Sequence, residues 1–214
     1  MGGTLTAHEV KAMLLHVASR VADSAEVLND ADRAIGDGDH GVAMRRGFET
    51  ARQELESREY DTVGAPVSEV GRALLLSMGG ASGILFSSLF VEGARGLSAE
   101  SCFGSAELAR FLTDGTGAVE QRGKTGPGGK TMVDALVPAA RAAAELRAEP
   151  LDNVLPRVAD AARAGVEATK DMVALAGKAK SLGERSLGFA DPGALSVQVL
   201  LRAMDEYVAA RQRA

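Results

Sequence analysis

Aromatic residues make up only 4% of this 214-residue chain, and tryptophan is absent. A core of ordinary size must then be built from Ala, Leu, Val and Met, a helix-forming composition that brings hydrophobic residues to 46%. The single cysteine, Cys102, excludes an internal disulfide and suits a reducing compartment. No apolar run reaches the ~18 residues of a membrane span. The first residues, Met1-Gly-Gly-Thr-Leu-Thr6, lack the basic region and long apolar core of a secretory signal. Positive charge is also short: 24 Lys and Arg against 29 Asp and Glu leave a formal charge of −5. That balance argues against a nucleic-acid binder with a broad basic face. A cytoplasmic protein with no membrane partner is the expectation.

Period-two alternation is missing too, and apolar residues recur instead at helical spacing. Thr6-Ala-His-Glu9 has the capping-box form and opens a first helix through Val10, Met13, Leu14, Val17, Val21 and Leu28. A second begins at Gly41 and runs through Phe48 and Leu55. Further helices are placed by Val67–Leu75, Ile84–Phe90, Leu108–Val119, Met132–Ala144, Val154–Met172 and Leu195–Val208. The reading is eight helices, no sheet, and a single all-α domain over residues 1–214.

What the chain has in excess is glycine and acid at one point. Asp30, Asp32, Asp37, Asp39 and His40 fall within eleven residues, with Gly36, Gly38 and Gly41 among them. Glycine allows positive φ without strain, so the segment reads as a tight loop between two helices. Several carboxylates at one turn suit a hard cation with oxygen ligands. An EF-hand frame counted from Asp37 puts Phe48 where the bidentate glutamate belongs, so calcium fits poorly. Magnesium, held by a few carboxylates and completed by phosphate and water, fits better.

Three more glycine-rich stretches lie between helices. Met78-Gly-Gly-Ala-Ser-Gly83 opens a helix, where unpaired amides and the dipole favour phosphate, and Ser82 adds a hydroxyl. Arg122-Gly-Lys-Thr-Gly-Pro-Gly-Gly-Lys-Thr131 looks like a Walker P-loop but lacks its leading glycine and its strand. It remains a basic loop, either a phosphate lid or a solvated connector. The 17 residues Gly177 to Gly193 are long for a connection in a compact domain, and Asp191-Pro192 suits the start of the last helix. Together the four loops make a metal–polyphosphate site plausible at one end of a bundle.

In this order, the stretches resemble the nucleotide-binding L subunit of dihydroxyacetone kinases. The resemblance rests on Ala34-Ile-Gly-Asp-Gly-Asp-His-Gly41, Gly79-Gly-Ala-Ser-Gly83, Gly123-Lys124 with Lys130-Thr-Met-Val-Asp-Ala-Leu-Val-Pro138, and Leu182-Gly-Glu-Arg-Ser-Leu-Gly188 with Asp191-Pro-Gly193. It implies an eight-helix antiparallel barrel with ADP or ATP in the loops at one end. Asp32, Asp37 and Asp39 would hold two Mg²⁺ ions. His40 and Gly41 would lie beside the nucleotide, and Ala81, Ser82 and Thr131 would contact phosphate. Gly123, Met132, Asp191, Pro192 and Gly193 would form the nucleotide pocket, with Lys178 to Gly188 as a mobile cover. The family often has Gly-Arg where this chain has Gly177-Lys178, and lysine loses the bidentate phosphate contact.

By the same resemblance the histidine that holds the sugar belongs to a separate K subunit, a partner this chain is expected to need. No catalytic residue is assigned here. The phosphoryl donor is then either a phosphotransferase-system protein acting on resident ADP, or exchangeable ATP used on a triose or tetrulose. A non-enzymatic Mg-ADP-binding regulatory module is the third reading.

Overall fold

The computed structural model describes residues 3–213. Its helices are α1 (Ala7–Asp23), α2 (Ala25–Ile35), α3 (His40–Glu56), α4 (Gly64–Ser77), α5 (Gly80–Arg95), α6 (Ser105–Gly123), α7 (Val133–Glu145), α8 (Leu151–Thr169) and α9 (Pro192–Arg211). A 3₁₀ segment covers Lys178–Ser186. The capping box at Thr6 forms as its residue types require. The Glu9 amide donates to Thr6 Oγ1 at 3.3 Å and the Thr6 amide to Glu9 Oε2 at 2.8 Å.

Two expectations need correction. The first helix does not run unbroken to the acidic loop. It ends at Asp23, where Ser24 turns to φ −84°, ψ 1°, outside helical geometry, while its amide and its hydroxyl both donate to Arg20 O, at 3.1 and 2.8 Å. The described residues therefore hold nine α-helices rather than eight. Nor is strand wholly absent: β1 (Leu5–Thr6) pairs antiparallel with β2 (Cys102–Phe103). This two-residue clip ties the chain start to the α5–α6 connection. Smaller shifts follow from caps and prolines. Pro66 lies in the first turn of α4, where its missing N–H costs nothing. Helix α8 stops at Thr169, short of Met172.

Each long helix packs on the next: α3 on α4, α4 on α5, and so on to α8 on α9, while α1 touches both α3 and α9. That closes the ring. Because short connections join antiparallel neighbours, the turns after α2, α4, α6 and α8 gather at one end. Those are the four glycine-rich stretches. The turns after α3, α5 and α7 lie at the other end. Inside the ring, five of the six phenylalanines are buried. Phe90 meets Phe48 edge-to-face at 6.1 Å and Phe111 in a tilted contact at 5.7 Å between ring centroids.

Candidate functional site

The acidic loop is shaped by one carboxylate. Asp32, in the last turn of α2, is buried, and its Oδ2 accepts from the amides of Gly38 (2.9 Å), Asp39 (3.0 Å) and His40 (3.3 Å). It thereby satisfies the first amides of α3, which has no cap of its own from Asp39. Of the three glycines, Gly38 alone takes positive φ, at 79°. Gly41 is required for approach: a Cβ there would sit 1.9 Å from Ala25 O. Asp32 Oδ1 takes no part in these bonds. One oxygen from each of the three carboxylates lies within 4.8 Å of the others. A set of three hard oxygen donors fits Mg²⁺.

Lys178 reaches this group from the 3₁₀ segment. Its ammonium hydrogen-bonds Asp37 and lies 3.6 Å from Asp39 Oδ1. The bond to Lys178 lowers the pKa of Asp37, and the same bond raises that of Lys178. The segment is seated over the acidic loop by apolar contact of Ile35 with Ala174 and Ala179. Buried Ser186 braces it, accepting from the Ala174 amide at 3.0 Å and donating to Gly183 O at 2.7 Å.

His40 is buried beside the carboxylates. Burial lowers its pKa, outweighing the pull of Asp32 and Asp39 in the other direction, so the ring is neutral at pH 7. Its tautomer follows from its neighbours. The Ser196 hydroxyl donates to Pro192 O at 3.0 Å, so its oxygen accepts from His40 Nε2–H at 2.8 Å. Nδ1 is left as an acceptor, 3.5 Å from Ser82 Oγ. Ser82 lies in the first turn of α5. Gly79 offers that helix no side-chain cap, and its first turn carries no acid. An uncapped start flanked by a hydroxyl and a neutral histidine is an anion seat. Ala81 is exposed at its mouth.

A second group forms where three chain segments meet. The Thr131 amide donates to Asp134 Oδ2 at 2.7 Å. Met132 lies against Gly193, where a Cβ would stand 3.3 Å from Met132 Cβ. Asp191 caps α9 by accepting from the Ala194 amide at 2.7 Å, with Pro192 at the first helical position. Gly123 closes α6 beside Leu85 and takes no part in this polar network. The basic loop is only partly a flexible cover, because Lys130 is buried. Its ammonium donates to Thr169 O and Phe189 O, each at 2.6 Å. Burial lowers its pKa against the pull of Asp191, Asp134 and Asp171.

Ser196 joins the two groups, and it carries no local signal that could mark it. Lys130 was legible only as one more basic loop residue. Asp134 was findable, since Thr131-x-x-Asp134 has capping-box spacing.

Burial and the nearby Asp134 carboxylate push Asp191 up to about 7, although the Ala194 amide and Lys130 pull it down. The folded chain then keeps this proton to higher pH than the unfolded chain, which releases it near the ordinary 3.8. The stability that goes with the protonated acid is complete below about pH 4 and is lost as pH rises towards 7. Asp191→Asn keeps an N-cap acceptor and removes the titration. Relative to wild type, the variant should gain stability between pH 4 and 7 in urea unfolding. A difference that stays flat across that window would contradict the assignment.

The fold is an all-α barrel, and one end of it brings three carboxylates together beside an uncapped helix start. Comparison with known proteins gives the family. The DAK2 domain model matches residues 34–206. The chain is 37% identical over 180 residues to the PEP-dependent dihydroxyacetone kinase, ADP-binding subunit DhaL, of Escherichia coli, covering 83% of this chain and 86% of that one. It is 32% identical to the D-erythrulose kinase of Mycolicibacterium smegmatis, over 97% of this chain and 36% of that protein. The dihydroxyacetone kinase from C. freundii, crystallised with AMP-PNP and Mg²⁺, superposes with a TM-score of 0.74 at 26% identity. That match covers 96% of this chain and about a third (35%) of the other. The chain belongs to the DAK2-domain family of kinase subunits, alongside the DhaL proteins. Among the described residues no helix is long and apolar enough to cross a membrane.

Proposed function

We propose that residues 1–214 form one nucleotide-carrying domain, the phosphoryl-transfer subunit of a cytoplasmic dihydroxyacetone kinase. It works with a separate sugar-binding K subunit. The observation that carries the reading is the convergence of Asp32, Asp37 and Asp39 within 4.8 Å on the same end of the barrel as the uncapped start of α5. Asp32, Asp37 and Asp39 hold Mg²⁺, two ions in the full assembly. When bound, Mg²⁺ neutralises phosphate oxygens and lowers the cost of moving charge between them.

The chain's own residues do the rest. The first-turn amides of α5 and the Ser82 hydroxyl take phosphate oxygens, with Ala81 leaving room at the mouth. His40, fixed as the Nε2–H tautomer, keeps an acceptor towards Ser82 and so orients that hydroxyl. Gly41 keeps α3 tight against α2 beside it. Thr131, Met132 and the Asp191-Pro192-Gly193 turn bound the nucleotide pocket, and Gly123 is its outer edge. Lys178 bridges Asp37 and Asp39 here and is the cation nearest an entering phosphate.

The donor is tested by denaturing protein purified without added nucleotide and identifying what is released. Stoichiometric ADP that survives gel filtration supports a resident cofactor, rephosphorylated by a phosphotransferase-system protein. Empty protein that binds Mg-ATP reversibly supports the ATP-dependent reading on a tetrulose, which the likeness to the erythrulose kinase favours. Neither nucleotide nor Mg-dependent binding would overturn both.

The surface around this end suits a protein partner. Leu76 is 86% exposed at the end of α4, and Val42, Leu175 and Phe189 are exposed on neighbouring elements. Exposed apolar groups clustered at one end of a charged molecule mark an interaction face. Leu76→Asp should weaken capture of the K subunit at least about tenfold, the effect of losing a buried apolar anchor. Nucleotide binding should be unchanged, since Leu76 lies outside both polar groups. Titration calorimetry with each ligand separates the two, and loss of both together would contradict the face.

A further inference from the structure

The end of the barrel opposite the acidic loop carries a cleft of about 540 Å³, a volume suited to a small metabolite. It lies between the α3–α4 and α5–α6 connections. Three guanidinium groups line it, those of Arg58, Arg72 and Arg95, against one lining carboxylate, Glu69. Each is paired with a carboxylate, Glu54, Glu69 or Glu92, so the cleft is balanced in charge but rich in N–H donors.

The arginines are arranged rather than scattered. Glu69 is buried; its Oε2 accepts from Arg58 Nη1 at 3.3 Å and forms an ion pair with Arg72 Nη2 at 3.2 Å. One carboxylate oxygen thus holds two forks side by side while consuming one donor of each. Arg58 gives another to Glu54, and Arg95 pairs with Glu92, both outside the lining. Each guanidinium has five N–H donors, so most remain free. The side chains of Arg58 and Arg72 are 49% and 61% exposed, open to a ligand.

The walls are pinned. Buried Lys11 donates to Arg58 O and to Glu59, each at 2.6 Å, which fixes the segment carrying Arg58 and Tyr60. The Val63 amide donates to Glu100 O at 3.0 Å, joining the two connections. Between them α4 begins with no side-chain cap and no acid in its first turn. Tyr60 lines the same cleft, and its hydroxyl is buried without a hydrogen-bond partner. A buried orphan hydroxyl is costly unless something meets it.

We propose that this cleft is a second ligand site, separate from the nucleotide end, for a small organic phosphate. Its phosphate is held by Arg58 and Arg72, and its body lies over Tyr60, Val91 and Ala94. Two adjacent forks with several free donors exceed what one carboxylate can accept and match the three oxygens of a phosphate monoester. The inference is independent of the phosphoryl-transfer reading.

The test is titration of the whole protein with inorganic phosphate and with glycerol 2-phosphate, in EDTA to silence the magnesium site. Tyrosine fluorescence is a second readout, because the chain has no tryptophan and only two tyrosines. Saturable binding with a fluorescence change is expected. Arg58→Gln and Arg72→Gln should each weaken it about tenfold, the loss of a charge-assisted bond. Tyr60→Phe should remove the optical signal while heat remains. Each single change leaves buried Glu69 its other arginine, and circular dichroism checks that the fold is kept. Absence of saturable binding overturns the proposal, as does binding that both arginine variants leave intact. An equal response to acetate overturns the assignment to phosphate.

Discussion

Asp37→Asn should reduce phosphoryl transfer with the K subunit by at least about 100-fold, the scale of losing a principal electrostatic group. Three features make this the sharpest test. Asp37 is exposed and accepts no backbone amide of the loop, whereas Asp32 holds three. Its polar partner is Lys178, a contact that the loop does not need for its shape. Substitution by the isosteric amide therefore removes one anionic oxygen from the cation site and leaves the cap of α3 in place. The variant should melt within about 2 °C of wild type, as surface changes do. Its apparent affinity for Mg²⁺ in nucleotide binding should fall together with turnover. Turnover at the wild-type level would remove Asp37 from the metal site. Lost turnover with unchanged Mg²⁺ affinity would give it a different role.

The second large effect falls on stability. Lys130→Met should cost about 3 kcal/mol and lower Tm by about 6–12 °C. The side chain is 1% exposed, and its ammonium holds the carbonyls of Thr169 and Phe189. Methionine fills similar space but leaves both carbonyls without a donor. It also strips the nearby Asp191 and Asp134 of their buried cation. Because Thr169 ends α8 and Phe189 precedes α9, the damage should fall on the nucleotide pocket too. Hydrogen exchange should rise across residues 170–191 before the rest of the barrel. A melting temperature within about 2 °C of wild type would show the ammonium to be dispensable.

Much of the molecule is legible in residue order. Helical spacing of Ala, Leu and Val places most of the helices, and the Thr6–Glu9 box starts α1 where its chemistry says. The acidic loop is readable because its ligands lie within eight residues, Asp32 to Asp39, so local turns alone bring them together. The four glycine-rich turns are readable for the same reason. An antiparallel ring with short connections then leaves them one end to occupy.

What the chain order does not carry is contact between distant residues and competition between close ones. The first helix breaks at Ser24 through one backbone angle, ψ 1°, a local choice of small energy that periodicity does not register. Ser196 lies 156 positions from the histidine it orients, and the contact exists only once α1 has brought α3 and α9 together in the ring. Lys130 sits in a loop of ordinary basic appearance, yet the meeting of α8 with the last loop buries it. Arg58, Arg72 and Arg95 look like solvated helix-end charges one by one, and only the packing of two connections around Glu69 makes them a cleft. Sequence alone determined most of the helices and the clustering of carboxylates in the acidic loop, since both depend on neighbours in the chain. Ring closure decided the tautomer, the buried ammonium and the second cleft, since each depends on groups that meet only in three dimensions.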